Sequence, residues 1–161
     1  MGATEQIWVL AGVAYSMLLG GVIGLERELK DRPAGFRTHM LVAGAAAFLI
    51  GIGQLLMLDP QYTRRDLLTV DPLRLVEAVV AGVSFIGAGT IFAHRGGAAI
   101  AGITTAASLL MVAVIGVSVG FRYFLIATAV TLLTLLVLTL LNVLERNLLA
   151  RTKDVRDQKD R

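Results

Sequence analysis

Residues 24–39 read GLERELKDRPAGFRTH. They sit between two long apolar runs and carry three acids, Glu26, Glu28 and Asp31, and four bases, Arg27, Lys30, Arg32 and Arg37. A loop that only joins two helices needs a few polar residues, not this many. The stretch therefore reads as the charged tip of a helical hairpin. Its helices end at a membrane boundary, broken by Pro33-Ala34-Gly35 and restarted at Arg37-Thr38-His39.

The rest of the chain supports a membrane setting. At 161 residues it allows one domain. With 56% hydrophobic residues and a mean hydropathy of +0.75, it has too little polar surface for a soluble domain of that size. Continuous apolar stretches near 20 residues point to membrane-spanning helices, and the absence of alternation argues against barrel strands. There is no Cys, so thiolate and disulfide chemistry are excluded. Residues 1–6 lack a basic n-region, so the first apolar run reads as a retained helix rather than a signal peptide.

Five spans follow: about 7–25, 40–58, 73–93, 102–119 and 123–143. Each is roughly 18 to 21 residues, enough for a ~30 Å hydrocarbon core. The expected fold is an all-α membrane protein with five transmembrane helices, arranged as two parallel helical-hairpin repeats plus a fifth helix. The repeat reading rests on PAGFRTHMLVAGAA and IAGITTAASLLMVA, each with Ala-Gly, an apolar residue and Thr at the second position after it. Residues 1–145 form the transmembrane domain and 146–161 a charged tail. Between spans two and three, Asp59-Pro60 and Asp71-Pro72 predict a short surface helix near 60–69.

Five spans place the 26–39 loop, the 94–101 loop and the tail on one side. That side holds Arg27, Lys30, Arg32, Arg37, Arg95, Arg146, Arg151, Lys153, Arg156, Lys159 and Arg161; the other holds only Arg64, Arg65, Arg74 and Arg122. This asymmetry predicts a cytoplasmic C-terminus and an outside N-terminus, with Trp8, Tyr62, Phe121 and Tyr123 at the outer interface.

Lipid does not drive helices together by hydrophobicity, so small residues mark the packing faces. Gly20 and Gly24 in span one, Gly87 and Gly89 in span three and Gly102 at the start of span four are the candidate packing glycines. They pack helices within a protomer or between protomers, and a homo-oligomer, most simply a dimer, is the expected assembly. Glu77, one turn inside span three, is an intramembrane acid; it either pairs with Arg74 or forms a cation or proton site.

The candidate site is a cytoplasmic-boundary polar network of Glu26, Arg27, Glu28, Arg32, Arg37, Thr38, Thr104 and Thr105. Its acids and bases would satisfy one another, because unpaired charge near hydrocarbon is costly. Thr104 and Ser108, four apart, would share the face that meets the first loop. Glu26, Glu28 and Asp31 offer hard oxygen ligands, but the adjacent bases leave the metal question open. His39 and His94, the only two histidines, stand at the same boundary. No catalytic constellation and no phosphate-cradling loop with its lysine is present, so neither an enzyme nor a cofactor is expected. Nothing points to nucleic acid.

These residues resemble the MgtC/SapB family of bacterial inner-membrane proteins. The likeness rests on GLERELKDRPAGFRTHMLV, then FIGAGTIF, then GITTAASLLMVAVIGVSVG, and covers roughly residues 10–145. It implies a small polytopic membrane protein linked to growth at low magnesium and to virulence, with one branch inhibiting the proton-driven ATP synthase. Position by position it carries Glu26, Arg27, Arg32, Pro33, Gly35, Arg37, Thr38, Gly87, Gly89, Gly102, Thr104 and Thr105. There are departures. The third-span Arg-x-x-Ala-Gln pattern is replaced at Glu77-Ala78, Ser84 stands for a usual glycine, and Ala101 stands for a basic residue. An ACT-like domain found after the spans in several members is not expected after Arg161.

Three function classes remain. The first is a non-catalytic regulator tied to magnesium or proton homeostasis, acting on a membrane protein partner. The second is a small oligomeric channel or transporter for Mg²⁺ or another ion. The third is a lipid-interacting protein whose bases meet anionic headgroups.

Overall fold

The computed structural model describes residues 2–59, 71–92 and 102–140. The expected surface helix at 60–69, His94, Arg95 and the 146–161 tail lie outside them. The described residues form five helices and no strand: α1 Ala3–Glu28, α2 Phe36–Leu58, α3 Pro72–Phe92, α4 Ile103–Gly120 and α5 Phe124–Leu140. The first four are long and apolar enough to cross a membrane, and α5 is shorter. This is the all-α, five-helix architecture that the hydropathy implies.

The first helix runs three residues past its apolar stretch. Glu26, Arg27 and Glu28 are good helix formers and nothing breaks the chain before Pro33, so these charges lie on the last helical turn rather than in the loop. The helix closes with Asp31 in the left-handed region (φ 51°). Arg32 N–H donates to Arg27 O at 3.1 Å and Asp31 N–H to Glu28 O at 3.1 Å, a pair of bonds that satisfies the last carbonyls. The same closure recurs after α4. There Arg122 has φ 66°, Tyr123 N–H reaches Ser118 O at 2.8 Å and Arg122 N–H reaches Val119 O at 2.8 Å.

α1, α2 and α4 make the centre of the bundle. Their contact faces are built from small residues and short aliphatics: Ile23, Ala43, Ala46, Ile50, Leu109, Val112, Ala113 and Ile115 are buried. A Cβ at Gly20 would lie 2.6 Å from His39 O, and one at Gly24 would lie 2.8 Å from Phe36 Cα. At Gly116 it would collide with the Ala43 carbonyl oxygen. These helices thus touch backbone to backbone, the contact that stabilises helix pairs in lipid. α5 is tied to α1 by Tyr15, whose hydroxyl lies 2.6 Å from Thr128 Oγ1 and whose ring meets Phe124 edge-on at 5.7 Å.

α3 is held more lightly. It packs on α4 and α2 and buries only Val79, Val83 and Gly87. Of the candidate packing glycines, Gly20 and Gly24 join α1 to α2, and a Cβ at Gly87 would lie 3.3 Å from Ala106 Cβ. Gly102 caps α4 with φ 101° and lies against Thr90 O, a turn that a side chain would strain. Among the described residues nothing lies within 4 Å of a Cβ placed at Gly89.

Candidate functional site

Arg27, on the last turn of α1, is 2% exposed although it carries a guanidinium. Its Nη2 donates to Thr105 Oγ1 at 2.6 Å, in the first turn of α4. Thr105 O in turn accepts the Ser108 hydroxyl at 2.8 Å. Ser108 Oγ also lies 3.0 Å from His39 Nε2, and His39 Nδ1 lies 2.9 Å from Gly35 O. A carbonyl only accepts, so Nδ1 carries a proton there. Three helices are thus linked by one buried polar chain: Arg27 from α1, His39 from α2, and Thr105 with Ser108 from α4.

The local reasons are visible in the packing. Gly20 and Gly24 let the first turns of α2 lie directly on α1, which seats His39 in the interior with no exposed surface. Thr105 and Ser108 are three apart and share the inward face of α4. Deeper in the bundle, Ser16 continues the polar interior by donating to Val13 O at 2.9 Å and Ala43 O at 3.2 Å.

The structure sorts the sequence-derived residues into three groups. Arg27 and Thr105 meet. Glu26 pairs with Lys30 on its own helix, while Lys30 also reaches Leu138 O at 3.4 Å. Glu28 accepts the Phe36 N–H at 2.7 Å and so caps α2 across the turn. The remaining members do not join the network. Arg32, Arg37 and Thr104 are exposed, and Thr38 is half-buried in the first turn of α2. Thr104 is turned about 100° from Thr105, which aims it at the groove between α4 and α5 instead of at α1. The inward pair on α4 is therefore Thr105 with Ser108, not Thr104 with Ser108. Glu77 and Arg74 are both exposed and form no ion pair with each other among the described residues.

Sequence reasoning passed over His39, treated only as a boundary histidine. The available signal was its place one turn into α2, opposite a helix with glycines four apart. Glu26, Glu28 and Asp31 do not converge: the first faces Lys30, the second the α2 N-terminus, and the third is exposed. Among the described residues no group of three or more His, Cys, Asp or Glu side chains could hold a metal. Among the described residues, Arg27 Nε and Glu26 Oε2 are buried without a hydrogen-bond partner. The arrangement is a polar clamp: it fixes three helix ends to one another at one boundary.

Residues 13–147 match the model of the MgtC family. The chain is 40% identical over 120 residues to the protein MgtC of Salmonella typhimurium, covering 74% of this chain and 46% of that protein. It is 37% identical over 135 residues to the putative magnesium transporter YhiD of Escherichia coli K12, covering 81% and 56%. It is 35% identical over 117 residues to the protein SapB of Bacillus subtilis, covering 72% and 49%. The chain thus spans about half the length of these relatives. No solved structure matches.

Proposed function

The chain belongs to the MgtC family, and from that premise we propose that it is a non-catalytic membrane regulator tied to magnesium or proton homeostasis, acting through protein contacts in the bacterial inner membrane. The observation that carries this reading is the backbone-to-backbone packing of α1, α2 and α4 around the Arg27–Thr105–Ser108–His39 chain. That interior is filled by small and aliphatic side chains, and its polar side chains Arg27, Thr105, Ser108 and His39 bond in one chain. A single protomer so packed acts by presenting surfaces. The surface in question is the boundary that carries Arg32, Arg37 and the Glu26–Lys30 pair. On the sequence asymmetry of Lys and Arg, this boundary is cytoplasmic and the N-terminus is outside.

A second reading, an oligomeric ion channel, has one observation in its favour. Among the described residues nothing fills the space beside Gly89 on α3, where a neighbouring copy can approach closely. The relative named as a putative magnesium transporter fits that reading.

Reconstitution of the purified chain in liposomes with a Mg²⁺-sensitive dye separates the two. The regulator reading expects flux equal to that of empty liposomes, together with loss of low-magnesium growth support in an Arg27→Ala strain. Mg²⁺ flux that scales with protein and is lost in Arg27→Ala would replace it with the channel.

A further inference from the structure

The groove between α2 and α3 has a charged mouth that the polar clamp does not use. On α2, Arg37, Leu41, Ala45 and Leu49 are spaced four apart and all are exposed, whereas Val42, Ala43, Ala46, Ala47 and Ile50 beside them are buried. The four therefore form one ridge on the outward side of the helix. Leu41, Ala45 and Leu49 line a groove of about 400 Å³, whose other wall is Ala78, Gly82 and Ile86 of α3. Those three are also four apart and exposed. A Cβ at Gly82 would meet nothing within 4 Å, so the glycine leaves the α3 wall open.

Dimensions and charge identify the occupant. The ridge from Arg37 to Leu49 spans twelve residues, or ~18 Å along the helix axis. One leaflet of hydrocarbon is ~15 Å thick, half of the ~30 Å core. The groove, lined from Leu41 to Leu49, starts one turn inside the boundary where α2 begins and runs ~12 Å; with Arg37 above it, the ridge matches the depth of one leaflet. Arg37 stands one turn above Leu41, at headgroup level, and forms no ion pair with any described residue. Three charged residues of the same stretch are engaged elsewhere: Lys30 with Glu26, and Glu28 with the Phe36 N–H. A planar guanidinium with free donors above an apolar channel matches a phosphodiester above an acyl chain.

We propose that Arg37 and the α2–α3 groove form a binding site for one anionic phospholipid, with the lipid phosphate on the Arg37 guanidinium and one acyl chain lying between Leu41–Leu49 and Ala78–Ile86. The site requires neither the regulator nor the channel reading, although Arg37 also belongs to the boundary that the regulator reading invokes. It gives lightly packed α3 a second contact to α2, through the lipid.

The test is native mass spectrometry of the full chain in mild detergent, offered phosphatidylglycerol or phosphatidylcholine with the same acyl chains. Retention of phosphatidylglycerol should exceed that of phosphatidylcholine by about fivefold, the effect of one well-placed arginine. Arg37→Gln should bring the ratio to about one. Arg74→Gln, an equal charge change on an exposed residue at the start of α3, should leave it unchanged. Gly82→Leu should lower retention of both lipids by filling the groove; if that variant is not monodisperse, Ala45→Leu fills the opposite wall. Inorganic phosphate should not compete. An unchanged preference in Arg37→Gln would overturn the site, as would full lipid retention in the groove-filled variant. Displacement of phosphatidylglycerol by inorganic phosphate would make it a free-anion site and equally end the lipid assignment.

Discussion

The Arg27 guanidinium donates to the Thr105 hydroxyl at 2.6 Å, across 78 residues of sequence and between the end of one helix and the start of another. The bond is buried on both sides, with Arg27 2% and Thr105 1% exposed. A cation so placed has no water to fall back on, so its partner matters more than at a surface.

Arg27 and Arg37 should therefore behave oppositely, although both belong to the same charged stretch. Thr105→Val removes the acceptor and should destabilise the protein by about 1–3 kcal/mol, and Arg27→Ala should loosen it further by opening a cavity. Arg37→Ala removes an exposed side chain and should change stability by no more than ~0.5 kcal/mol. Thermal unfolding in detergent, followed by circular dichroism, measures both. Equal losses from Arg27→Ala and Arg37→Ala would contradict the burial difference.

His39 and Ser108 should be energetically coupled. Their atoms are 3.0 Å apart in a buried setting, and His39 also holds Gly35 O. Single substitutions His39→Phe and Ser108→Ala, with the double variant, form a cycle. Hydrogen bonds between membrane helices give coupling of about 0.6 kcal/mol on average and ~1.7 at most. Strict additivity would mean that the contact contributes nothing to the fold.

Much of this was legible in the sequence, and what was not has local physical causes. The spans showed because hydropathy is a sum over many residues and tolerates local error. The meeting of Arg27 with Thr105 showed because two helix starts on one side must bury or satisfy the charges beside them. Thr104 and Arg37 were drawn into that network because helical phase was unknown: one residue is about 100° of rotation, enough to turn a side chain from core to lipid. The end of α1 was also unreadable in detail. Its closure uses Asp31 with φ 51°, where the sequence advertised only the later Pro33 and Gly35. His39 looked like a surface residue because it stands next to charges, but the Gly20 and Gly24 face had already made room for it.

The glycines separate into those that hold the bundle and those that do not. Gly116→Ala would press a methyl group into the Ala43 carbonyl, a backbone atom that cannot step aside, and should cost about 1–3 kcal/mol. Gly89→Ala meets open space and improves helix propensity, so it should be neutral or stabilising by up to roughly 0.8–1 kcal/mol. Comparative melting of the two variants checks this. If Gly89→Ala is instead the more damaging while the purified chain is oligomeric, Gly89 lies in a subunit contact, and the dimer proposal gains a specific surface.

The last prediction concerns sidedness. Two contacts fix which ends of the helices share a boundary. Arg27 with Thr105 joins the end of α1 to the start of α4, and Arg122 Nη2 with Glu5 Oε2, at 2.9 Å, joins the end of α4 to the start of α1. Asp31 and Arg122 must therefore lie on opposite faces of the membrane. Both are turn residues with positive φ, and a cysteine at either accepts some strain, so the neighbouring exposed positions Arg32 and Tyr123 are better probes. The chain contains no Cys, which makes single-cysteine labelling clean. A membrane-impermeant maleimide added to intact cells should label Tyr123→Cys and spare Arg32→Cys, which reacts only once the membrane is opened. The first half of that outcome follows from the excess of Lys and Arg on the Arg32 side. The opposite pattern would invert the orientation while leaving the fold intact. Labelling of both from outside would break the antiparallel relation of α1 and α4 on which the whole site depends.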